Sequence, residues 1–176
     1  MISEEDLSRI IELVGLKDDS VLNAYIFGST VHGTNTEKSD IDIIMVADID
    51  KKLKFNKTNY FHKYRLYSLD LDIDSKKQKF DIVVYSKDNF EKLLECCFLV
   101  CVECIFSPEK FILRNNVDYK KIYLDKYYNK SKLREALFQE YCYSQNFMER
   151  YLENTKLLDE NKDLKIQHLI RKKINI

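Results

Sequence analysis

Proline is almost absent from this sequence and glycine is scarce: one Pro and three Gly stand among 176 residues, and there is no Trp. No internal repeat and no low-complexity linker is legible, so the chain reads as one folded unit of ordinary domain size, or as a domain with a helical extension. No stretch approaches the roughly eighteen uninterrupted apolar residues of a membrane span. The first residues, Met1-Ile2-Ser3-Glu4-Glu5-Asp6-Leu7, are acidic and polar, unlike a secretion signal. Net charge is also missing: 29 Lys and Arg balance 29 Asp and Glu, so global charge lends nothing to a general nucleic-acid binder.

What is present is a hydrophobic fraction of 45%, enough for a core, and five cysteines. Cys96, Cys97, Cys101 and Cys104 crowd one apolar segment, with Cys142 apart from them. An odd count without a signal fits reduced thiols in a cytoplasm. Cys101-x-x-Cys104 could be half of a zinc site, but it lacks a second pair or a nearby His pair. Cations gather at Lys110, Arg114, Lys120, Lys121, Lys126, Lys130, Lys132 and Arg134 against Asp118 and Asp125. That run reads either as a solvated surface or as a phosphate-facing strip.

Along the chain, Ser3 and the acids after it read as a helix start, with Leu7, Ile10, Ile11 and Val14 on one face and Gly15 as the stop. Val21 to Phe27 predicts a buried strand. Gly28 can take backbone angles closed to other residues, and Ser29 and Thr30 can cap a short helix whose free N–H groups suit a phosphate. Asp40 to Ala47 predicts a second strand. Tyr64 to Asp74 alternates as a half-exposed strand, residues 75–79 read as a turn, and Phe80 to Tyr85 as a further strand. Ser86 caps a helix whose apolar spacing runs through Phe90, Leu93, Leu94, Cys97, Phe98 and Cys101, with Pro108 soon after as a break. Residues 111–129 have no clear pattern. A long helix is expected from Ser131, and another over residues 164–174. The domain expectation is a catalytic unit over 1–110 and a helical extension, packed on it, over 111–176.

The chemistry concentrates in residues 27–43. On a strand, Asp40 and Asp42 are spaced to point to one face. Two carboxylates held together repel unless a cation lies between them, and Mg²⁺ takes oxygen ligands of this kind while leaving positions open for phosphate. A strand ending in Gly28-Ser29, about ten residues, then Asp40-Ile41-Asp42-Ile43 between hydrophobic residues, resembles the nucleotidyltransferase superfamily typified by DNA polymerase beta. A bare Asp-x-Asp would carry no weight, since residues 70–72 and 72–74 repeat it. A narrower pattern, Gly28-Ser29-x-x-x-Gly33 and Ser39-Asp40-x-Asp42, then Asp81, Tyr85-Ser86, Phe90, Leu93-Leu94, Glu103, Phe106 and Pro108, with His168 and Arg171 in the tail, resembles the predicted nucleotidyltransferases related to the RNA-ligase-associated group, many of them carried by phages and large viruses. Such proteins often continue beyond the equivalent of Arg171, so the chain is either a short member or a fragment.

The resemblance implies an α/β (α+β) nucleotidyltransferase fold, with a small mixed β-sheet flanked by helices and a helical C-terminal part. It implies transfer of NMP from an NTP such as ATP to a hydroxyl acceptor, with two Mg²⁺ ions, or Mn²⁺, clamping the attacking and leaving oxygens. Asp40 and Asp42 would hold the metals. The third carboxylate, counted with them as a metal ligand and helping to deprotonate the acceptor, is best matched by Asp81, with Asp72 and Asp74 as the other candidates. Gly28 and Ser29 would bind the β- and γ-phosphates, and Lys38 could meet a phosphate. RNA or tRNA is the acceptor the resemblance suggests, and no membrane is implied. Rival readings are an AMPylating, antitoxin-like transferase acting on a protein, a small-molecule transferase of the aminoglycoside type, and a non-catalytic viral protein that binds a nucleotide or host factor.

Overall fold

A computed structural model describes residues 2–32, 35–49, 57–58, 63–73 and 76–141. Helix α1 (Glu4–Leu13) starts where Ser3 and Asp6 cap each other: the Asp6 N–H donates to Ser3 Oγ at 3.1 Å and the Ser3 N–H to Asp6 Oδ2 at 2.9 Å. Its buried face is Leu7, Ile10 and Ile11, and the chain leaves it through Gly15 in the left-handed region. Strand β1 (Val21–Phe27), the four-residue helix α2 (Ser29–His32) and strand β2 (Ile41–Ala47) follow. After β2 come the short β3 (Lys57–Thr58), then β4 (Lys63–Ile73) and β5 (Lys76–Ser86), which form a long antiparallel hairpin.

Helix α3 (Lys87–Glu95) is capped by Ser86, whose hydroxyl accepts from the Asn89 N–H. The single helix expected from here to Pro108 is two. Cys97, at φ 56°, turns the chain back, with Cys97 N–H to Leu94 O at 3.0 Å and Phe98 N–H to Leu93 O at 2.8 Å, and α4 (Leu99–Ile105) begins afresh. The apolar spacing runs across the break because both helices bury into one core, Phe90, Leu93 and Leu94 from the first and Cys101, Val102, Cys104 and Ile105 from the second. Residues 112–115, which carry no strand pattern, form β6 (Ile112–Asn115). Helix α5 (Tyr119–Ile122) widens into a π-turn over Tyr123–Tyr127, and α6 (Lys130–Tyr141) starts one residue before Ser131. The rest of the expected long helix, the helix over 164–174, His168, Arg171 and Cys142 lie outside the described residues.

The strands order as β3-β4-β5-β2-β1-β6, with β2 and β5 parallel and every other pair antiparallel. The mixed sheet between helices is the α/β architecture expected. One face, with Tyr25, Ile44, Val46 and Tyr85, packs against α3 to α6. The other, with Ile43, Met45, Ala47, Ile82 and Val84, packs against α1. This two-sided burial accounts for the nearly continuous apolar run of β2. Tyr119, Tyr123 and Leu133 lie in the first of these cores, so the described part of segment 111–176 shares packing with the part before it.

Much of the basic run is used locally. Arg114, opposite Ala24 in the sheet, donates to Glu4 Oε1 at 2.5 Å, Asp18 Oδ1 at 3.0 Å and Asp18 O at 2.9 Å. Lys121 meets Asp125 at 2.5 Å, Lys132 donates to Glu95 O at 3.1 Å, and Lys120 stands over the Phe106 ring at 5.2 Å. Cys101 and Cys104 are fully buried, burial pushes both thiols up, and among the described residues no cluster of ligands surrounds them. A zinc site finds no support there.

Asn23 is the buried polar tie between β1 and the β6–α5 turn. Its Oδ1 accepts the Val117 N–H at 3.1 Å, and its Nδ2 faces Val117 O at 2.9 Å, Asn115 Oδ1 at 2.8 Å and Tyr25 Oη at 2.6 Å. Asn23→Ala leaves the amide and carbonyl of Val117 without these partners, and a loss of about 2 to 4 kcal/mol is expected from urea unfolding. A change within about 0.5 kcal/mol would show that water replaces the amide.

Candidate active site

Strand register assembles the site. In the parallel pairing of β2 with β5, Asp42 lies opposite Asp81, and in the antiparallel pairing on its other side Asp42 lies opposite Phe27, the last residue of β1. Alternation along β2 puts Asp42 on the Ile44–Val46 side of the sheet, beyond the edge of that apolar core. Asp40 precedes it by two residues. All three carboxyl groups are half-buried, and none has an ion-pair partner among the described residues.

Gly28 follows Phe27 at φ +71°, and a Cβ on it would run into the Asp42 carboxylate, with Asp42 Cγ at 3.2 Å. The glycine thus meets two demands, a left-handed backbone and room for the carboxylate beside it. It turns the chain directly into α2, with half-buried Ser29 at its N-terminal end. His32 is the last residue of α2, and Gly33 lies outside the described residues.

Burial raises the carboxyl pKa of Asp42 above its ordinary value, and the charges of Asp81 and then Asp40 raise it further. Asp42 therefore senses the charge of both other acids. Asp81 is held from its far side by a residue that sequence reasoning missed: Ser68, its cross-strand partner on β4, donates its hydroxyl to Asp81 Oδ1 at 2.6 Å. The alternation of β4 marks its faces but not its register against β5, which alone selects Ser68. Asp72 pairs opposite Lys77, two same-face positions beyond Ser68, and Asp74 lies outside the described residues.

A model of the family described as polymerase beta nucleotidyltransferase matches residues 9–108, more than half of the chain and all of β1, β2 and β5. The chain belongs to this nucleotidyltransferase family. Among proteins of curated function none matches it. Membership makes the protein a nucleotidyltransferase in the general sense, with a nucleotide as substrate, and the family is typically dependent on a divalent metal. No described helix of this nucleotidyltransferase is long and apolar enough to cross a membrane.

The acids suit such a metal in kind, being hard oxygen donors, mutually repelling and unneutralised. Among the described residues no three His, Cys, Asp or Glu side chains converge closely enough to hold an ion by themselves. A cation here would draw remaining ligands from substrate phosphate and water, as Mg²⁺ commonly does. Lys38 is exposed on the connector before Ser39, on the wall of a separate cleft of about 260 Å³. Tyr119 and Tyr123 are buried in the core, and the Tyr127 hydroxyl donates to Glu91 at 3.3 Å.

Two outcomes follow from this crowding. Gly28→Ala is expected to lose at least about 1 to 2 kcal/mol from the left-handed backbone alone, with more from the contact with Asp42, measured by chemical unfolding. The folded pKa of Asp42 lies above its unfolded value, so the fold holds that proton more tightly and the ionised group costs stability once the pH exceeds the unfolded value. With EDTA present, Asp42→Asn should therefore melt higher than the native chain at pH 7, and the gap should close as the pH falls below about 4. An unchanged or lower Tm at pH 7 would refute this electrostatic account.

Proposed function

We propose that the protein transfers NMP from an NTP to a hydroxyl acceptor in a Mg²⁺-dependent reaction. The observation that supports this most is the in-register pair Asp42 and Asp81, with Asp40 two residues away and Gly28 opening α2 beside them. Gly28 and Ser29 would receive the β- and γ-phosphates through backbone N–H groups and the hydroxyl. Asp40 and Asp42 would hold the divalent ions, Mg²⁺ or Mn²⁺, with Asp81 on their far side, and the ions when bound would neutralise charge on the phosphates.

In the step itself the acceptor oxygen attacks the α-phosphorus, and the bond from that phosphorus to the bridging oxygen of pyrophosphate breaks. The pyrophosphate leaves with the bonding pair, and the acceptor proton passes to Asp81. Ser68 keeps Asp81 Oδ1 occupied, which leaves Oδ2 as the oxygen to take the proton. The narrower sequence resemblance supports a place among the phage and viral members. The free thiols at Cys96, Cys97, Cys101 and Cys104 suit a reducing cytoplasm.

The test is incubation with α-³²P-labelled NTPs, ATP first, and Mg²⁺, offering RNA, tRNA and cell lysate as acceptors. Label is expected on an acceptor. Asp40→Ala and Asp42→Ala should abolish transfer, and Asp81→Ala should lower kcat by about 10²- to 10⁴-fold. Full transfer by Asp40→Ala or Asp42→Ala would overturn the site, and absence of both transfer and NTP binding would overturn the enzyme reading. Label on a protein would instead favour the AMPylating alternative.

A further inference from the structure

We propose that the face of the β4–β5 hairpin next to the carboxylates is the track for a single-stranded polynucleotide acceptor, gripped by Lys38 and Lys79. This rests on the transferase reading above and names its acceptor. The hairpin runs away from Asp81 with one face in the order Asp81, Lys79, Lys77 on β5 and Ser68, Asp70, Asp72 on β4. Same-face residues on a strand stand about 6.6 Å apart, comparable to successive phosphates of an extended strand. Between this face and the connector lies the cleft of about 260 Å³, lined by Glu37, Lys38, Ser39, Asp70, Lys77, Gln78 and Lys79.

The cleft has a built wall. Ser39 and Thr36 close the connector into a turn, Thr36 N–H to Ser39 Oγ at 2.9 Å and Ser39 N–H to Thr36 O at 3.0 Å. Gln78 Nε2 then ties that turn to the hairpin through Ser39 O at 3.2 Å. Ser39 in its lining directly precedes Asp40, and Lys79 in its lining is two residues from Asp81 on the same face.

Charge decides what fits there. Asp70 is engaged by Lys77 at 3.9 Å. Lys38 and Lys79 have no ion-pair partner among the described residues, although Lys79 pairs in register with Asp70. Three lysines, Lys38, Lys77 and Lys79, stand against Glu37 and Asp70 in the lining, and among the described residues Lys38 and Lys79 carry no ion pair, so the cleft favours an anion over a neutral or cationic acceptor. Position separates this anion from the donor's. Gly28 and α2 lie on the β1 side of Asp42, whereas the cleft lies on the β5 side, where Asp81 stands. A strand lying over Lys79 brings its terminal hydroxyl towards Asp81, two residues along the same face.

The experiment measures binding of a fluorescein-labelled single-stranded RNA 20-mer by anisotropy across a salt series, with transfer measured in parallel. The Lys38→Glu/Lys79→Glu double variant is expected to bind at least tenfold more weakly. Its salt slope should fall by about 1.4, the value for two lost phosphate contacts on a single strand. Lys87→Glu/Lys92→Glu, on exposed positions of α3, controls for net charge and should keep at least half the native affinity. The double variant binding RNA like the native protein overturns the track. So does transfer to a protein or small molecule by a chain that does not bind the RNA, and that result leaves the transferase reading standing. Asp40→Ala/Asp42→Ala separates the two claims, since it should abolish transfer while RNA binding persists.

Discussion

The parallel pairing of β2 with β5 is the constraint on which the site depends. It is the only parallel pair among the described strands, and it requires the chain to leave the end of β2, travel out and return in the same direction. The β4–β5 hairpin accomplishes the return. With Ile41 opposite Phe80 and Ile43 opposite Ile82, Asp42 can only stand opposite Asp81. A slip of one residue would send one carboxylate into the core against α1, where Ile43 and Ile82 are fully buried. Apolar burial on both faces therefore enforces an electrostatic arrangement that the carboxylates themselves oppose.

That opposition is visible at Asp42, whose ionised form is disfavoured by burial and by two like charges. Gly28 leaves no atom between its backbone and the carboxylate, and the Ser68 hydroxyl holds Asp81 in place. Such crowding costs the fold stability, and a divalent cation placed there would relieve it. Structure away from the site absorbs the cost. The two apolar cores and the buried Asn23 tie stabilise the fold by far more than one crowded carboxylate destabilises it.

The candidate site was legible in the sequence to the extent that it is local. Gly28-Ser29 and Asp40-x-Asp42 fall within one strand–helix–strand stretch, where period and spacing suffice. Asp81 needed a resemblance, because an acid near the start of a strand says nothing about which strand lies beside it. Ser68 was illegible, since cross-strand register is a long-range property with no trace in the alternation of β4. β6 was missed for a related reason: four residues ending in Arg114-Asn115 show no period, and pairing with β1 makes them a strand. The break at Cys97 hid because α3 and α4 bury into the same core, so the apolar spacing persists where the backbone does not. Left-handed backbone at a cysteine is rarer than at glycine or asparagine, and sequence gives no warning of it.

The distribution of cations follows the same division between local and long-range. The densest basic run, residues 110–134, reads in the sequence either as a solvated surface or as a phosphate-facing strip. Folding commits much of it: Arg114 to Glu4 and Asp18 across the sheet edge, Lys121 to Asp125, Lys132 to a helix carbonyl, Lys120 to an aromatic face. Among the described residues Lys38 and Lys79 carry no ion pair; they stand 41 positions apart in sequence and are brought to one cleft by the pairing that sets Asp81 against Asp42. A formal charge of zero conceals this, because the sum over the chain counts engaged and unengaged groups alike. What a polyanion meets is the unengaged remainder, and strand register decides where that remainder lies.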